Sequence, residues 1–495
     1  MALIRPAILL FSVHAQVVRK RAKQVRLGSE YQNLEALIME FSIERLKPLA
    51  EEMTLILRQE LAQNEKCTER DIEQAIRQKL QELGRQTFGM VLSQVDDVPE
   101  QELACSCGGT LKYQRRRSAQ VISIFGRVNY QRSYYADCSC GKGRAPLDIR
   151  LGLQPNQVTA GLAALLGMAG IEMAFDYASG WLQPFLLFDV SENTLRKETQ
   201  GFGELQLERE AEWIQASQDP NELQARLRTE QERPERVYGS IDGAHVRIEE
   251  RSQVEEIAEK WREMKVGCWY RVVPVPKSHY KKRHRKKDAN DYQALRAEDI
   301  NYFCDIADVE QFEPLFWATG CQAKADLAKE VVFVCDGAKW IWRLVDTYYP
   351  QAVQILDWYH AEERLESVAE EVFSGKQAKT WLDDTRTAMW QGHTRFVIRA
   401  CEKLAPKSET AAKAATYFRN NAQRMRYDRF RDQGYLIGSG TVESACKQIV
   451  TRRLKVSGAQ WNLQGARLTA KARTAWLSGD WDDLCSRRDH LPLAV

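Results

Sequence analysis

Two apolar runs in the second half of the chain each end in an aspartate followed by a glycine. Residues 237–241 run into Asp242, and residues 331–335 run into Asp336. Short apolar, β-branched runs that stop at turn residues predict buried strands. We therefore expect two strands that each present a carboxylate at the carboxyl edge of a sheet. Taken singly, an Asp-Gly after a strand is more often only a turn.

A third acid, Glu443, lies in a different local frame. Residues 438–443 read Gly-Ser-Gly-Thr-Val-Glu, which predicts a glycine-rich turn that opens an amphipathic helix. A glutamate in the first turn of a helix commonly serves only as a capping or dipole residue. The order strand-Asp, strand-Asp, helix-Glu favours instead a set of carboxylates that act together.

Carboxylates brought together in a partly dry site repel one another and cannot stay unpaired. A pair of hard divalent cations relieves this repulsion and creates a centre for phosphoryl transfer. The sequence therefore predicts that Asp242, Asp336 and Glu443 bind two catalytic Mg²⁺ ions, with Mn²⁺ as a possible substitute.

Several further segments carry helical patterns. Residues 355–360 predict a strand followed by a helix, which would place Asp357 and His360 on one helix face. Residues 361–434 are almost entirely helical in pattern. The first hundred residues also predict amphipathic helices, because apolar residues fall at helical spacing in Leu34, Leu37, Ile38 and Phe41.

Residues 151–206 contain a candidate helix-turn-helix. Val190 and Ser191 are followed by Thr194, Leu195 and Arg196, and Ser191 is a suitable N-cap for a recognition helix. In that role Arg196 would contact DNA. A plain helical hairpin explains the same pattern almost as well.

Four cysteines in two pairs predict a zinc-ribbon-like module in residues 101–150. The pairs are separated by an apparent hairpin, residues 121–135, that turns at Gly126. Two pairs of soft ligands joined by a hairpin suit one structural, tetrahedral Zn²⁺. The spacing within each pair is CxC rather than the commoner CxxC, so a cluster of reduced thiols remains the alternative. The four ligands would be Cys105, Cys107, Cys138 and Cys140.

Basic residues are concentrated in a few segments, although the net charge is only +3. Local basic patches favour contact with phosphate backbones. A basic loop between the first two aspartates is expected to contact DNA phosphates as well, with a solvated charge run as the alternative. A basic helix leading on from Glu443 is the strongest of these signals, since no acid follows before Asp480. The predicted DNA-binding residues are Arg115, Arg116, Arg117, Lys281, Lys282, Arg283, Lys286, Lys287, Lys447, Arg452, Arg453 and Lys455, with Arg467, Lys471 and Arg473 continuing the last run.

Composition adds broad limits. A chain of 495 residues is long enough for three or four domains, and 44% hydrophobic with 28% charged residues is typical of a globular protein. No stretch approaches the roughly 18 apolar residues that span a bilayer, so no membrane partner is expected. The twelve cysteines show no secreted framework. A cytoplasmic location is expected.

Several motifs together resemble those of the ISKra group of bacterial insertion-sequence transposases, which is similar to Mutator-like transposases. The resemblance covers roughly residues 100–480. Its distinctive parts are Ile241-Asp-Gly243, Cys335-Asp-Gly-Ala338, Asp357-Trp-Tyr-His360 and Gly438-Ser-Gly-Thr-Val-Glu443, together with the segments Tyr417–Tyr427 and Gly434–Ser444, Lys447 and Trp461.

This resemblance implies a multidomain α+β protein whose catalytic domain, residues 233–495, has an RNase H-like α/β fold. The helical residues 361–434 would be its all-helical insertion. Asp242, Asp336 and Glu443 would be the catalytic, metal-binding acids of a DDE transposase. Asp357 and His360 would be auxiliary catalytic residues.

The expected activity is Mg²⁺-dependent cleavage and transfer of DNA strands. The expected partners are double-stranded transposon ends and target DNA, with a homo-oligomer formed on the ends and a nucleoid-associated location in a bacterial cytoplasm. Two alternatives remain open. One is a domesticated DNA-binding protein that does not cut, and the other is an RNase H-like, structure-specific nuclease such as a resolvase.

Overall fold

A computed structural model describes residues 68–95, 100–230, 233–249, 261–275 and 295–489, and, of the residues before 68, only 51, 54, 55, 58 and 59. The fold is mixed α+β, which confirms the predicted class at that level. The chain forms two compact units, Met1–Gln86 and Thr87–Val495. Helix α1 (Glu69–Gln94) is the element described at the start of the chain, and both sheets belong to the second unit.

A small antiparallel sheet of three strands carries the four paired cysteines. Its strands lie in the order β1 (Glu102–Ala104), β2 (Thr110–Ser123) and β3 (Gly126–Ala136). Residues of β3 alternate between buried and exposed positions along most of its length, as expected for a strand with one covered face. The predicted hairpin is confirmed, because Ser123 pairs with Gly126 across the turn.

A group of helices follows the small sheet: α2 (Pro146–Arg150), α3 (Ala160–Glu172), α4 (Phe175–Leu186), α5 (Glu192–Gln218) and α6 (Pro220–Thr229). Ser191 is the N-cap of α5 and accepts a hydrogen bond from the Thr194 amide at 3.2 Å, so the predicted cap is confirmed. Helix α5 continues well past the predicted module boundary at residue 206. Its second half therefore joins this helical group to the rest of the molecule.

The larger sheet has five strands in the order β6-β5-β4-β7-β8. Strand β5 pairs antiparallel with both β4 and β6, whereas β7 pairs parallel with β4 on one side and with β8 on the other. The crossover helices are α7 (Val309–Gln322) and α8 (Lys339–Tyr348). The strands are β4 (Arg236–Arg247), β5 (Trp261–Pro274), β6 (Leu295–Asp305), β7 (Glu330–Cys335) and β8 (Val353–Leu356).

Both faces of this sheet are buried, which explains why its central strands read as continuous apolar runs. In β7, Val332 and Val334 belong to one hydrophobic core, and Phe333 and Cys335 belong to another on the opposite face. The second core packs the sheet against α7 and α8, through residues such as Phe316. The sheet is thus the central layer between two hydrophobic cores.

The chain after β8 is helical, as predicted for residues 361–434, although the first helix already starts at Trp358. Its elements are α9 (Trp358–Val372), α10 (Gly375–Trp390), α11 (Thr394–Leu404), α12 (Glu409–Asn420), a 3₁₀ turn (Ala422–Met425) and α13 (Tyr427–Asp432). Apolar residues of these helices, including Leu365 and Phe418, continue the first core of the large sheet.

The C-terminal part of the chain is also helical. Helix α14 (Gly440–Cys446) continues through a π-helical turn (Lys447–Thr451) into α15 (Arg452–Leu454) and then stops. Helices α16 (Leu463–Ser478) and α17 (Trp481–Asp489) follow. A helix does lead on from Glu443, as predicted, but it ends at Leu454, and the basic residues 467, 471 and 473 lie on the separate helix α16. Of the helices that the structure describes, none combines the length and apolar character that a bilayer crossing requires.

Candidate functional sites

Three aspartates lie at one level of three neighbouring strands. Parallel pairing sets Gly239 of β4 opposite Phe333 of β7, and Cys335 of β7 opposite Leu356 of β8. Three residues beyond the Gly239–Phe333 pair are Asp242 and Asp336, and one residue beyond the Cys335–Leu356 pair are Asp336 and Asp357. The same register therefore brings the three aspartates side by side. The register persists beyond the last backbone pair, because the Ile241 amide donates to Cys335 Sγ at 3.4 Å.

Asp242 itself does not end its strand, contrary to the prediction. Strand β4 runs on to Arg247, and Asp242 pairs with Val266 of β5. The reason is that β4 has different neighbours on its two sides. Strand β7 ends at Cys335, so the edge of β4 facing β7 opens just where Asp242 lies, while β5 continues beside its other edge. Asp242 therefore still lies at a point where one edge of β4 is open.

The Asp242 carboxylate has an environment that disfavours its charge. Burial raises its pKa, the charge of nearby Asp336 adds to this, and a hydrogen bond from the Gly243 amide at 2.7 Å opposes it. The other oxygen, Oδ2, lies 3.6 Å from Cys446 Sγ. Asp336 accepts a hydrogen bond from the Ala338 amide at 2.9 Å in the turn before α8. Backbone amides thus hold both neighbouring carboxylates, and the charged form of Asp242 is destabilised relative to its neutral form.

Asp357 is fully buried, and its side-chain hydrogen bonds join the start of α9 to the turn before Glu443. As the N-cap of α9, its Oδ2 accepts from the His360 amide at 2.9 Å and lies 2.6 Å from His360 Nδ1. Its Oδ1 accepts from the Ser439 amide at 2.7 Å. The prediction that a helix begins at this point is confirmed. Asp357 therefore fixes both the His360 ring and the turn that precedes Glu443.

Glu443 projects from the first turn of α14, and 47% of its side chain is exposed. Its Oε1 lies 3.4 Å from Ser439 Oγ and 3.9 Å from His360 Nδ1. Burial raises the pKa of Glu443 and the charge of Asp357 adds to this, whereas His360 opposes it. The hydrogen bond that the His360 ring donates to Asp357 raises the pKa of His360 to about 9 against its burial, with further contributions from the charges of Asp357, Asp336 and Glu443.

The acidic residues thus fall into two adjacent groups. Asp357, His360 and Glu443 offer ligand atoms that all lie within 4.8 Å of one another and could hold a metal ion. Within the described part of the chain, Asp242 and Asp336 lie outside that group but next to each other. The electrostatic influence of His360 reaches Asp242, which connects the two groups. An oxygen-rich set of this kind suits a hard divalent cation such as Mg²⁺.

Two contacts in this region escaped the sequence analysis. Cys446 and Ser439 contact Asp242 and Glu443, respectively. Cys446 follows Glu443 by three residues, and helical spacing puts these two positions on one face, so this signal was available. The contact of Cys446 with Asp242, which is 204 residues away, depends on the position of the sheet and could not be read from the sequence.

The four predicted zinc ligands form a second cluster, in the small sheet. Cys105 Sγ lies 3.6 Å from Cys140 Sγ, and Cys107 Sγ lies 3.3 Å from Cys138 Sγ. Tetrahedral zinc with Zn–S bonds of about 2.3 Å separates its sulfurs by roughly 3.8 Å. All four sulfurs are within 4.8 Å of one another, so the cluster could hold a zinc ion. Hydrogen bonds from neighbouring backbone lower the pKa values of Cys105 and Cys138.

We expect one zinc per chain in freshly purified protein. Cys107→Ser should remove this zinc and make residues 100–145 sensitive to proteolysis, because structural zinc sites contribute directly to folding. Metal analysis and limited proteolysis measure the two effects. Cys485→Ser, a change at a partly buried cysteine of α17 outside the cluster, is the matched control and should retain the zinc. Protein that contains no zinc, or keeps it after Cys107→Ser, would contradict the assignment.

Basic residues predicted to bind DNA have varied environments. Arg115 is exposed on β2, Arg116 donates to the carbonyl oxygens of Ser93 and Gln131, and Arg117 stacks on a tyrosine ring. Arg196 is exposed on α5 and donates to a neighbouring side chain. Lys447, Arg452 and Lys455 are exposed. The predicted basic loop, with Lys281, Lys282, Arg283, Lys286 and Lys287, lies outside the described residues.

Arg453 does not belong to any exposed surface. It is only 2% exposed, it donates to the Gly170 carbonyl at 2.7 Å, and its guanidinium lies against the rings of Phe175 and Trp461. A side chain held in this way has no access to a phosphate. Its predicted DNA contact is therefore not retained.

The other basic residues of the C-terminal run are also engaged inside the protein. Lys471 of α16 is fully buried against Glu210 and Asp305, and Arg467 pairs with Asp305 at 2.6 Å. Arg473 pairs with Glu172 at 3.0 Å. This part of the predicted nucleic-acid surface is an internal ion-pair network, because acids from distant parts of the chain neutralise it.

No protein-family model matches the chain, and a search of curated proteins found no match either.

Proposed function

We propose that the protein is a DNA transposase of the DDE type, with an RNase H-like catalytic core. The observation that carries this proposal is the position of Asp242 on β4 and of Asp336 directly after the neighbouring parallel strand β7, beside the helix of Glu443. The sheet order, with three antiparallel strands followed by two parallel ones, fits such a core. The resemblance to the ISKra group supports the same assignment.

Asp242, Asp336 and Glu443 would hold two Mg²⁺ ions, for which Mn²⁺ could substitute. The donor set fits, because all three ligands are carboxylates and burial destabilises the charge of Asp242 beside Asp336. When bound, such ions activate water or a DNA 3′-hydroxyl and stabilise charge on the reacting phosphate and the leaving oxygen. Two cations about 4 Å apart would not both fit within one compact set of ligands. Their ligands would therefore come from both acidic groups, the Asp242–Asp336 pair and the group that contains Glu443.

Asp357 and His360 would act as positioning residues. The Asp357 carboxylate has both oxygens engaged by protein donors, so it is better suited to orienting its neighbours than to binding a metal ion. It holds the His360 ring within 3.9 Å of Glu443. In this arrangement the imidazole limits the movement of the Glu443 carboxylate and presents a cationic edge toward the DNA phosphate.

DNA would bind along exposed basic residues near the acids and in the preceding modules. Arg452 and Lys447 lie on the helix that carries Glu443, while Arg115 and Arg196 belong to the small sheet and to α5. The zinc-ribbon-like module and the candidate helix-turn-helix would recognise the transposon ends. A homo-oligomer would hold both ends for strand transfer.

The direct test uses a plasmid that carries the DNA flanking the coding sequence, where terminal inverted repeats would lie. With Mg²⁺ or Mn²⁺, purified protein should cleave at the repeat ends and join them to a second DNA. With Ca²⁺ it should bind without cleavage, because Ca²⁺ coordination is too flexible for the reaction. Binding without cleavage in all three metals would favour a DNA-binding protein instead.

A further inference from the structure

A cleft of about 990 Å³ lies between α8 and α12, directly after the second aspartate of the candidate active site. Gly337, the residue that follows Asp336, lines its inner end. A Cβ atom at this position would come within 2.1 Å of the Tyr417 ring, so α12 approaches the Asp336 turn as closely as a glycine allows. The cleft therefore adjoins the acidic residues.

The cleft carries an excess of positive charge. Lys339 and Arg343 line it from α8, and Lys413 lines it from α12. Two acids, Asp346 and Glu409, also line it. Glu409 is paired with Lys413 at 2.9 Å. Together with Arg424 there are four basic residues and two acids, which favours an anionic ligand.

Arg424 gives a second and independent indication. Its guanidinium stacks 4.4 Å from the centre of the Trp342 ring, and it donates to neutral amide oxygens of Gln354 and Asn421 at 2.7 and 3.1 Å. No carboxylate among the described residues lies within ion-pair distance of it. The buried Trp342 Nε1 also has no hydrogen-bond partner in this part of the chain. A half-buried guanidinium that hydrogen-bonds only to neutral groups, with Asp346 acting on it through its charge alone, is completed best by an anion, and phosphate matches its geometry.

We propose that this cleft binds the phosphodiester backbone of one DNA strand next to the reacting phosphate. This inference rests on the proposed function, since it names the path of that enzyme's substrate. The cleft volume lies within the range of about 300–1,000 Å³ typical of ligand pockets, which admits a few nucleotides of one strand but not a duplex. A basic groove with an aromatic residue in its floor is also typical of single-strand binding sites.

The test compares two triple variants in Ca²⁺, with a fluorescent twelve-residue oligothymidylate as the probe. Lys339→Gln/Arg343→Gln/Lys413→Gln neutralises the cleft. Arg395→Gln/Arg399→Gln/Lys403→Gln neutralises three exposed residues on α11, outside the cleft, as the matched control.

The cleft variant should bind the oligonucleotide roughly tenfold more weakly, and its log–log salt slope should fall by about 2, because each lost phosphate contact on a single strand contributes about 0.7. The control should change neither quantity. A single charge reversal, Arg343→Glu, should act in the same direction as the cleft variant. Thermal unfolding of each variant checks that the fold is unchanged.

Equal losses in the two triple variants would overturn the proposal, since they would show only general electrostatics. Complete displacement of the oligonucleotide by micromolar dTMP would also overturn it, because the cleft would then be a mononucleotide site. The proposed function is judged separately, by Mg²⁺-dependent cleavage. Cleavage by the unmodified protein with no selective effect of the cleft variant refutes only the cleft. A selective effect without any cleavage refutes only the transposase.

Discussion

Asp242→Asn, Asp336→Asn and Glu443→Gln are each expected to slow DNA strand cleavage roughly a hundredfold or more. Each change removes a negatively charged ligand from cations that stabilise the transition state by several kcal/mol, and each 1.36 kcal/mol corresponds to about tenfold in rate. DNA binding should persist or become tighter, because the substitution removes a negative charge that faces phosphate. The measurement is cleavage of a labelled transposon end in Mg²⁺, with binding followed in Ca²⁺.

Glu363→Gln provides the matched control for this experiment. Glu363 is an exposed acid on α9 whose charge contributes to raising the pKa of Glu443, yet it is not part of either acidic group. It should therefore cleave at nearly the unmodified rate. If any one of the three principal variants also cleaved at that rate, the residue concerned would not be a metal ligand.

Local patterns in the sequence were sufficient for several elements of the site. The run that ends in Asp336, the hairpin around Gly126 and the N-cap at Ser191 each depend on a few neighbouring residues, and all are present in the structure. Turn, cap and strand signals act over short distances, so they remain readable without the tertiary fold. The same applies to the helix that starts after Asp357.

Relationships that depend on distant residues could not be predicted. Asp357 shared a helical face with His360 in the sequence analysis, but its contact with Ser439 joins positions 82 residues apart. Strand β4 continued past Asp242 because β5 remains beside it after β7 has ended. Both features follow from how the strands and loops pack, and neither leaves a local pattern.

The basic residues after Glu443 illustrate the same limit most clearly. A charge run was interpreted as a solvent-exposed surface, although Lys471 and Arg473 are buried. Their partners, Glu210 and Glu172, lie more than two hundred residues earlier in the chain. Charge patterning in a sequence therefore predicts a surface only when no distant acid neutralises it inside the fold.

Lys471→Met is expected to destabilise the protein by about 3–5 kcal/mol, because it leaves buried carboxylates without their counterion. Lys471 is fully buried, and it contacts Glu210 and, at 3.1 Å, Asp305. Burial alone would lower the pKa of Lys471, but the charges of these two carboxylates raise it above its ordinary value. In this variant Arg467 still pairs with Asp305, so Glu210 is the carboxylate that loses its cationic partner.

Lys329→Met is the matched control, because Lys329 forms an ion pair with Glu235 in which both side chains are mostly exposed. Exposed pairs contribute about 1 kcal/mol or less, so this variant should unfold at nearly the same urea concentration as the unmodified protein.

The double variant Lys471→Met/Glu210→Met should recover much of the lost stability, since replacing a whole buried pair with apolar residues is often neutral. Urea unfolding followed by tryptophan fluorescence measures all three. A Lys471→Met protein as stable as the Lys329→Met control would show that this ion pair does not hold α16 in place.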